Sequence, residues 1–271
     1  MEISRQIKLL ISEYQIFPSD KLGQNHLIAS SGLSYLVNAI SPNVDTSYIE
    51  IGSGFLFLTR LVAQLSKKVF AIEKDTRFSN FYRDFFEKPE NASLNIEVVQ
   101  EDALKVDLDE FEASQLFGNI PYYISTELFL KVASSKNINR AVILFQKEFA
   151  DRILALPGTP EYSSITVFTD FYFQKHFLKT LPESFFYPRP TVSSSLVELI
   201  RRDVPDVNQE GFFRLVRAAF AMRRKKLSNN LRSLFPQGQV VGALRRLGLD
   251  ELVRAEKLSL DDFVKLYRVL N

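Results

Sequence analysis

The chain of 271 residues contains no cysteine. This excludes disulfides, thiolate nucleophiles and cysteine-ligated zinc, and it fits a reducing compartment. Histidine is nearly as scarce: His26 and His176 are the only two. A histidine-rich metal site is excluded, a Ser-His-Asp arrangement would rest on one isolated residue, and no metal is expected. No stretch of about 18 uninterrupted apolar residues occurs, so no membrane span is predicted. The opening Met-Glu-Ile-Ser-Arg-Gln lacks the basic segment, apolar core and cleavage site of an export signal. A cytoplasmic location is the resulting expectation. Neither an internal repeat nor a low-complexity segment is visible.

What is present is ordinary globular material, 46% hydrophobic and 24% charged, enough for one full core and a smaller second one. The formal charge of +2 conceals an asymmetry. Residues 201–271 hold 15 Lys+Arg against 8 Asp+Glu, net +7, whereas the first 200 hold 19 against 24, net −5. A basic C-terminal segment facing a polyanion is one reading; a surface enriched in Lys and Arg for solubility is the other.

Short apolar runs recur at helical separations. Tyr48 to Ile51 ends in Gly52-Ser53-Gly54 and leads into a helix-like stretch from Leu58 to Leu65. Val69 to Ile72 ends at Glu73, Ile96 to Val99 ends near Asp102, Leu116-Phe117 leads into Asn119, and Ala141 to Phe145 is the fifth. This pattern predicts a doubly wound α/β fold with a parallel sheet, in which ligands sit beyond the carboxyl ends of the strands. From about Ser163 to Leu199 the text is aromatic and reads as β-rich, interrupted by Pro182, Pro188 and Pro190. Beyond Asp203-Val204-Pro205-Asp206 come amphipathic helices, with Phe212, Phe213, Leu215, Val216 and Phe220 spaced for one face. The predicted domains are therefore 1–203, a Rossmann-like α/β domain, and 204–271, a small helical domain.

The most informative short segment is Asn119-Ile120-Pro121-Tyr122. The lone pair of an exocyclic amine on a nucleobase is delocalised into the ring, and an amide can draw it back without taking a proton. The Asn119 oxygen and the Ile120 carbonyl, held outward by Pro121, would accept both amine hydrogens, and Tyr122 would stack the base. The bland alternative is a strand ending in an Asn-x-Pro turn with a core tyrosine.

Gly52 and Gly54 let backbone approach a ligand, and Glu73 lies 21 residues after Gly52. A carboxylate at that spacing, ending the second strand, accepts from both hydroxyls of a ribose. A dinucleotide would require a fuller glycine loop for its pyrophosphate, yet Phe57 stands where the last glycine belongs. These residues favour a nucleoside cofactor without phosphates, S-adenosylmethionine. Asp102 would accept from the adenine amino group, although Glu101 is adjacent and either could face solvent. Glu73 could instead cap a strand end beside Lys74. Asp75 and Arg77 need no special role on this reading.

The segments Lys21-Leu22-Gly23-Gln24-Asn25, Glu50-Ile51-Gly52-Ser53-Gly54, Asn119 to Tyr122 with Ile124-Ser125-Thr126, and Gln146-Lys147-Glu148 resemble the ribosomal RNA adenine dimethyltransferase family. So do Phe186 to Ser195, Arg223-Arg224-Lys225-Lys226 and Arg254-Ala255-Glu256. The likeness is collinear over nearly the whole chain. One branch dimethylates two adjacent adenines near the 3′ end of small-subunit ribosomal RNA and is linked to ribosome assembly; the other confers antibiotic resistance through large-subunit RNA. Ile120 and Ser53 occur in the resistance branch, whereas the Arg-Arg-Lys-Lys helix, Arg254-Ala255-Glu256 and Leu156-Pro157-Gly158 are closer to the small-subunit branch. The latter is the expectation, with resistance-type activity or a non-catalytic RNA-binding assembly factor of the same fold as alternatives.

The resemblance implies that Asn25 and Leu27 border the methionine part of the cofactor with Gln24 nearby. It places Gly52 and Gly54 against the cofactor, Glu73 on its ribose and Asp102 on its adenine. Asn119 would position the substrate amine while Tyr122 and Phe186 clasp the base; both rings could also be core aromatics. Arg223, Arg224, Lys225 and Lys226 would contact RNA phosphates alongside Arg217 and Arg232, or form a solvated helix face. The expected partner is ribosomal RNA in small-subunit particles and the expected state a monomer. The chain departs from the family pattern at His26, where phenylalanine is usual, at Tyr123, where asparagine is common, and before Gly23, where the usual basic cluster is missing.

Overall fold

The structure, a computed structural model, describes residues 3–19 and 22–271. Lys21, the first residue of one quoted motif, lies outside the described residues. The chain divides into two compact units, one formed by residues 1–150 and 176–201, the other by 151–175 and 202–271.

The first unit opens with helix α1 (Ile3–Tyr14), whose Ile7 and Ile11 are buried one turn apart. There follow β1 (His26–Leu27), α2 (Ser30–Ile40), β2 (Ser47–Ile51), α3 (Phe57–Ala63), β3 (Lys68–Ile72), α4 (Ser79–Glu87), β4 (Ile96–Val99), β5 (Gln115–Asn119), α5 (Ser125–Ser134) and β6 (Arg140–Gln146). Further along the chain come α6 (Lys147–Leu154), α7 (Ser164–Tyr172), β7 (Phe173–Leu181), β8 (Phe186–Tyr187) and β9 (Ser194–Arg201). Seven strands form one sheet in the order β4-β3-β2-β5-β6-β9-β7. From β4 to β6 neighbouring strands are parallel, and β9 runs antiparallel to β6. β2 is buried at all five positions, as a central strand covered on both faces should be. The chain leaves β2 toward β3 on one side and later returns to β5 on the other. That reversal opens a crevice at the carboxyl ends of the two strands.

The second unit adds α8 (Gln209–Ala219), α9 (Leu227–Asn230), α10 (Gln237–Arg246) and α11 (Leu260–Leu270). Asn208 caps α8, its Oδ1 accepting from the Gly211 N–H at 2.8 Å. Phe212, Phe213, Leu215 and Val216 of α8 are buried against Phe171, Phe263 and Leu266.

Two readings of the sequence are corrected here. The segment 151–175, placed in the first domain from sequence, belongs to the second unit: Tyr162, Val167 and Phe171 pack in the same cluster as Phe212 and Phe213. Residues 164–172, read as β-rich, are helix α7. Its β-branched content suits a strand, but packing and local bonds override that preference. Thr166 Oγ1 accepts the Ser163 N–H at 3.0 Å, and Thr169 Oγ1 donates back to Ile165 O at 2.7 Å.

Candidate active site

Each of the polar positions that the sequence pointed to is carried by the end of a parallel strand. Gly52 follows β2 directly with φ +76, a conformation open to glycine. A Cβ there would lie in van der Waals contact with the Asn119 carbonyl oxygen at 3.5 Å and Pro121 Cδ at 3.9 Å, so the bare Gly52 backbone faces the Asn119 turn. Glu73 follows β3 and is buried, 8% exposed. Its Oε2 accepts the Gly54 N–H at 3.0 Å and its Oε1 the Asp75 N–H at 2.9 Å. Burial raises its pKa, while those backbone bonds work against the shift. The carboxylate is thereby fixed beside the glycine turn. Tyr82 on α4 holds the same turn, its hydroxyl donating to Gly54 O at 3.0 Å.

Asp102, after β4, accepts the Leu104 N–H at 3.0 Å and forms an ion pair with Lys74 Nζ at 2.7 Å. Burial opposes it, but Lys74 and the Leu104 N–H hold its carboxyl below the usual range. Glu101 beside it is exposed, and its Oε1 accepts the Asp102 N–H.

Asn119 ends β5. Its Nδ2 donates to the backbone carbonyl of Asn25 at 2.7 Å, and no described residue donates to its Oδ1. Gly118 before it has no room for a side chain, since a Cβ would lie 2.5 Å from Ile51 O. This close approach of β5 to β2 brings Asn119 to the crevice.

The segment before β1 closes the crevice from the other side. Gln24 Nε2 donates to Asp75 Oδ2 at 2.8 Å, and its Oε1 accepts the Ser19 N–H at 3.0 Å. Arg77 pairs with Asp75 at 2.6 Å and reaches Phe17 O at 3.0 Å. The expectation that Asp75 and Arg77 have no special role is therefore corrected: buried Asp75 is the anchor of the loop that carries Gln24 and Asn25. Burial raises the Asp75 pKa, but bonds from Arg77 and Gln24 bring it below its ordinary value.

Gln24, Asn25, Leu27, Gly52, Gly54, Glu73, Asp102 and Asn119 all line one cleft of about 1040 Å³, open mouth included. Three further residues line the cleft: Glu50, to which sequence reasoning assigned no role, and His26 and Tyr123, which it marked only as departures from the family pattern. Glu50, within β2, is 3% exposed and its Oε2 has no partner. Burial pushes its carboxyl up to about 8, with the charge of Glu73 adding to the shift. The imidazole of His26 packs against Phe55 with ring centroids 5.4 Å apart, and its Nε2 is buried without a partner. Burial lowers its pKa to about 4, so it is neutral over the physiological range. The third is Tyr123.

Tyr122 and Phe186 do not line the cleft. The Tyr122 hydroxyl lies 2.7 Å from Ser194 Oγ, and burial raises its pKa. Phe186 is 3% exposed, paired with Leu27 across the β1–β8 ribbon and packed in the cluster that holds Leu33 and Leu36. Strand alternation turns its neighbour Tyr187 outward instead.

Arg223 to Lys226 form an exposed turn between α8 and α9, not the expected helix. The reason lies in Asn230, whose Nδ2 donates to Ala219 O at 2.5 Å and to Met222 O at 3.1 Å. It satisfies carbonyls at the end of α8 and turns the chain. Arg223 donates to Pro160 O, while Arg224, Lys225 and Lys226 project into solvent. Among the described residues, no group of three or more Asp, Glu or His could hold a metal ion, and no helix is long and apolar enough to cross a membrane.

Comparisons with known proteins agree on one lineage. A profile of the ribosomal RNA adenine dimethylase family matches residues 19–271. The chain is 36% identical to the ribosomal RNA small subunit methyltransferase A of Geobacillus thermodenitrificans, over 97% of this chain and 94% of that one. It is 35% identical to the protein of the same description from Listeria monocytogenes, covering 96% and 93%. Among solved structures, a dimethyladenosine transferase from Plasmodium falciparum aligns with TM-score 0.76 and 26% identity over 88% of this chain and 94% of that one. The 23S rRNA methyltransferase ErmE shares the fold, with TM-score 0.70 over 90% and 98%.

Proposed function

Because the chain belongs to the ribosomal RNA adenine dimethylase family, we propose that its cleft binds S-adenosylmethionine. We further propose that it transfers methyl groups to the N6 amines of two adjacent adenines near the 3′ end of small-subunit ribosomal RNA. Full-length identity to relatives described as small-subunit methyltransferases supports the small subunit as substrate.

The residues present fit that cofactor. Gly52 offers a backbone cradle that a Cβ would fill. Glu73, fixed by two N–H groups, keeps lone pairs for a ribose diol. Asp102 stands ready for an adenine amine, and the unpartnered Glu50 Oε2 and His26 Nε2 are polar atoms in want of ligand or solvent. When bound, S-adenosylmethionine supplies a methyl group activated by its sulfonium.

The observation that carries the catalytic reading is the Asn119 amide. Its Nδ2 is committed to Asn25 O, so its Oδ1 is oriented and left to accept a hydrogen of the substrate amine. With the Ile120 carbonyl it would draw the amine toward tetrahedral geometry and aim the lone pair. Tyr122, tied to Ser194 at 2.7 Å, would hold the target base from the turn, and Phe186 would support it by backing Leu27. Attack makes the amine nitrogen cationic and its proton acidic, so the proton leaves to water without a dedicated base. Burial lowers the His26 pKa to about 4, so its imidazole is a weak base and no proton transfer is asked of it. The exposed cations at 224–226 would bind RNA phosphates. The same reading has the protein act as a monomer in the cytoplasm.

Mass-spectrometric mapping of small-subunit RNA from cells with and without the protein tests the substrate. Two adjacent dimethyladenines should vanish in its absence. Their persistence would redirect the activity to another RNA.

A further inference from the structure

Tyr123 is an exposed aromatic residue directly after the Asn119 turn. Its side chain is on a residue 51% exposed, and it lines the cleft that Tyr122 and Phe186 do not reach. Among the described residues no other ring stacks on it. What it does touch is backbone. Gly23 has φ +57, and a Cβ there would lie 3.3 Å from Tyr123 Cδ1. The ring therefore lies against Gly23, between the loop that carries Gln24 and the turn after β5.

Tyr123 lines the cleft together with Lys74 and Asp102, and also with Asn25 and Leu27. The Tyr123 phenol lies close enough to Lys74 to add to the field that raises the lysine pKa, after the dominant bond from Asp102. Lys74 and Asp102 form the 2.7 Å pair. Asp102 is the residue to which the proposed function gives the adenine of the cofactor.

We infer that Tyr123 is the stacking wall for the purine of the adenosyl ligand. The inference rests on the S-adenosylmethionine reading and assigns a recognition element within it. The physical basis is that an exposed ring, packed against Gly23 and lining the cleft with no aromatic partner among the described residues, offers a π-face to a flat heterocycle. The 3₁₀ turn from Tyr122 to Ile124 is pinned by the Ile124 N–H to Pro121 O bond at 3.2 Å, so the ring is presented by backbone that does not have to be ordered on binding.

The test is calorimetric titration of the full chain with S-adenosylhomocysteine and, separately, with adenosine. Wild type, Tyr123→Phe, Tyr123→Ala and Tyr123→Asn would be compared, with thermal melts of each as a folding control. Loss of a base-aromatic stack weakens binding about 5- to 100-fold. Tyr123→Ala and Tyr123→Asn should lose affinity in that range for both ligands alike, and Tyr123→Phe should stay within about twofold of wild type. Equal affinity of wild type and Tyr123→Ala would overturn the inference. So would unchanged ligand affinity together with a raised KM for the RNA substrate, which would give the ring to the target base. Failure of wild type itself to bind either ligand would sink the S-adenosylmethionine reading, a different outcome from either.

Discussion

The Asn119 side chain donates to the carbonyl of Asn25 at 2.7 Å, joining two residues 94 positions apart. This bond decides which end of the Asn119 amide faces the cleft. It also ties the turn after β5 to the loop after Ser19, which Gln24, Asp75 and Arg77 hold in place. A change at Asn119 should therefore be read first as a change in orientation, whereas Asn25 gives this bond only its backbone carbonyl.

Glu73 gives a separable prediction. Its two oxygens satisfy the N–H groups of Gly54 and Asp75 inside the protein, and an unsatisfied buried donor costs roughly 1–3 kcal/mol. Glu73→Ala should lower the melting temperature by several degrees and weaken S-adenosylhomocysteine binding at least tenfold. Glu97→Ala, which removes a half-exposed partner of Lys68, should change neither by much. Equal behaviour of the two variants would remove Glu73 from the cofactor site.

Glu50 should make stability depend on pH. Its folded pKa is raised by burial from 4.5 to about 8, so the folded state holds a proton that the unfolded chain releases at lower pH. The associated stability is fully present below 4.5 and is lost as pH rises through 8. Melting temperatures should fall between pH 6 and pH 9, and Glu50→Gln, neutral at every pH, should flatten that decline. An identical decline in the variant would place the titrating group elsewhere.

His26 has the opposite sign. Its pKa is lowered by burial from 6.5 to about 4, so on acidification the unfolded state takes up the proton first. Its contribution is present above 6.5 and is lost as pH falls toward 4, on the order of 1–3 kcal/mol in all. His26→Phe removes both this slope and the unpartnered Nε2. The variant should melt higher than wild type at pH 7, and by a wider margin at pH 5. A lower melting temperature at both values would show that Nε2 has a partner in solution.

The basic turn can be tested through salt. The side chains of Arg224, Lys225 and Lys226 are exposed and, unlike that of Arg223, make no hydrogen bond or ion pair to a described residue. Replacing all three by glutamine should reduce the slope of log K against log salt for RNA binding by about 2, at roughly 0.7 per lost phosphate contact. S-adenosylhomocysteine affinity should not move. An unchanged slope would make the run a solvated surface only.

The strands were legible because each is a short apolar run stopped by a polar or glycine residue, and the polar stops at Gly52, Glu73, Asp102 and Asn119 fall on one crevice once the sheet is parallel. What one dimension concealed was mostly long-range. The Gln24–Asp75–Arg77 node joins segments more than 50 residues apart, and nothing local marks Asp75 as buried. Helix α7 was hidden by its threonines and aromatics, whose packing with α8 outweighs their strand preference. The turn at 223–226 depends on Asn230, a residue with no distinctive sequence context. Glu50 looked like one more acidic residue in a strand; only the burial of β2 on both faces makes it unusual.

The central claim is that the Asn119 amide aims the substrate amine. Its most direct measurement is methyl transfer to purified small-subunit particles, single turnover, by wild type, Asn119→Ala and Asn119→Asp at saturating S-adenosylmethionine. Removing one preorganised polar contact of this kind costs about 10²- to 10³-fold in rate. Both variants should show that loss while still binding S-adenosylhomocysteine. Rates equal to wild type in both would contradict the account.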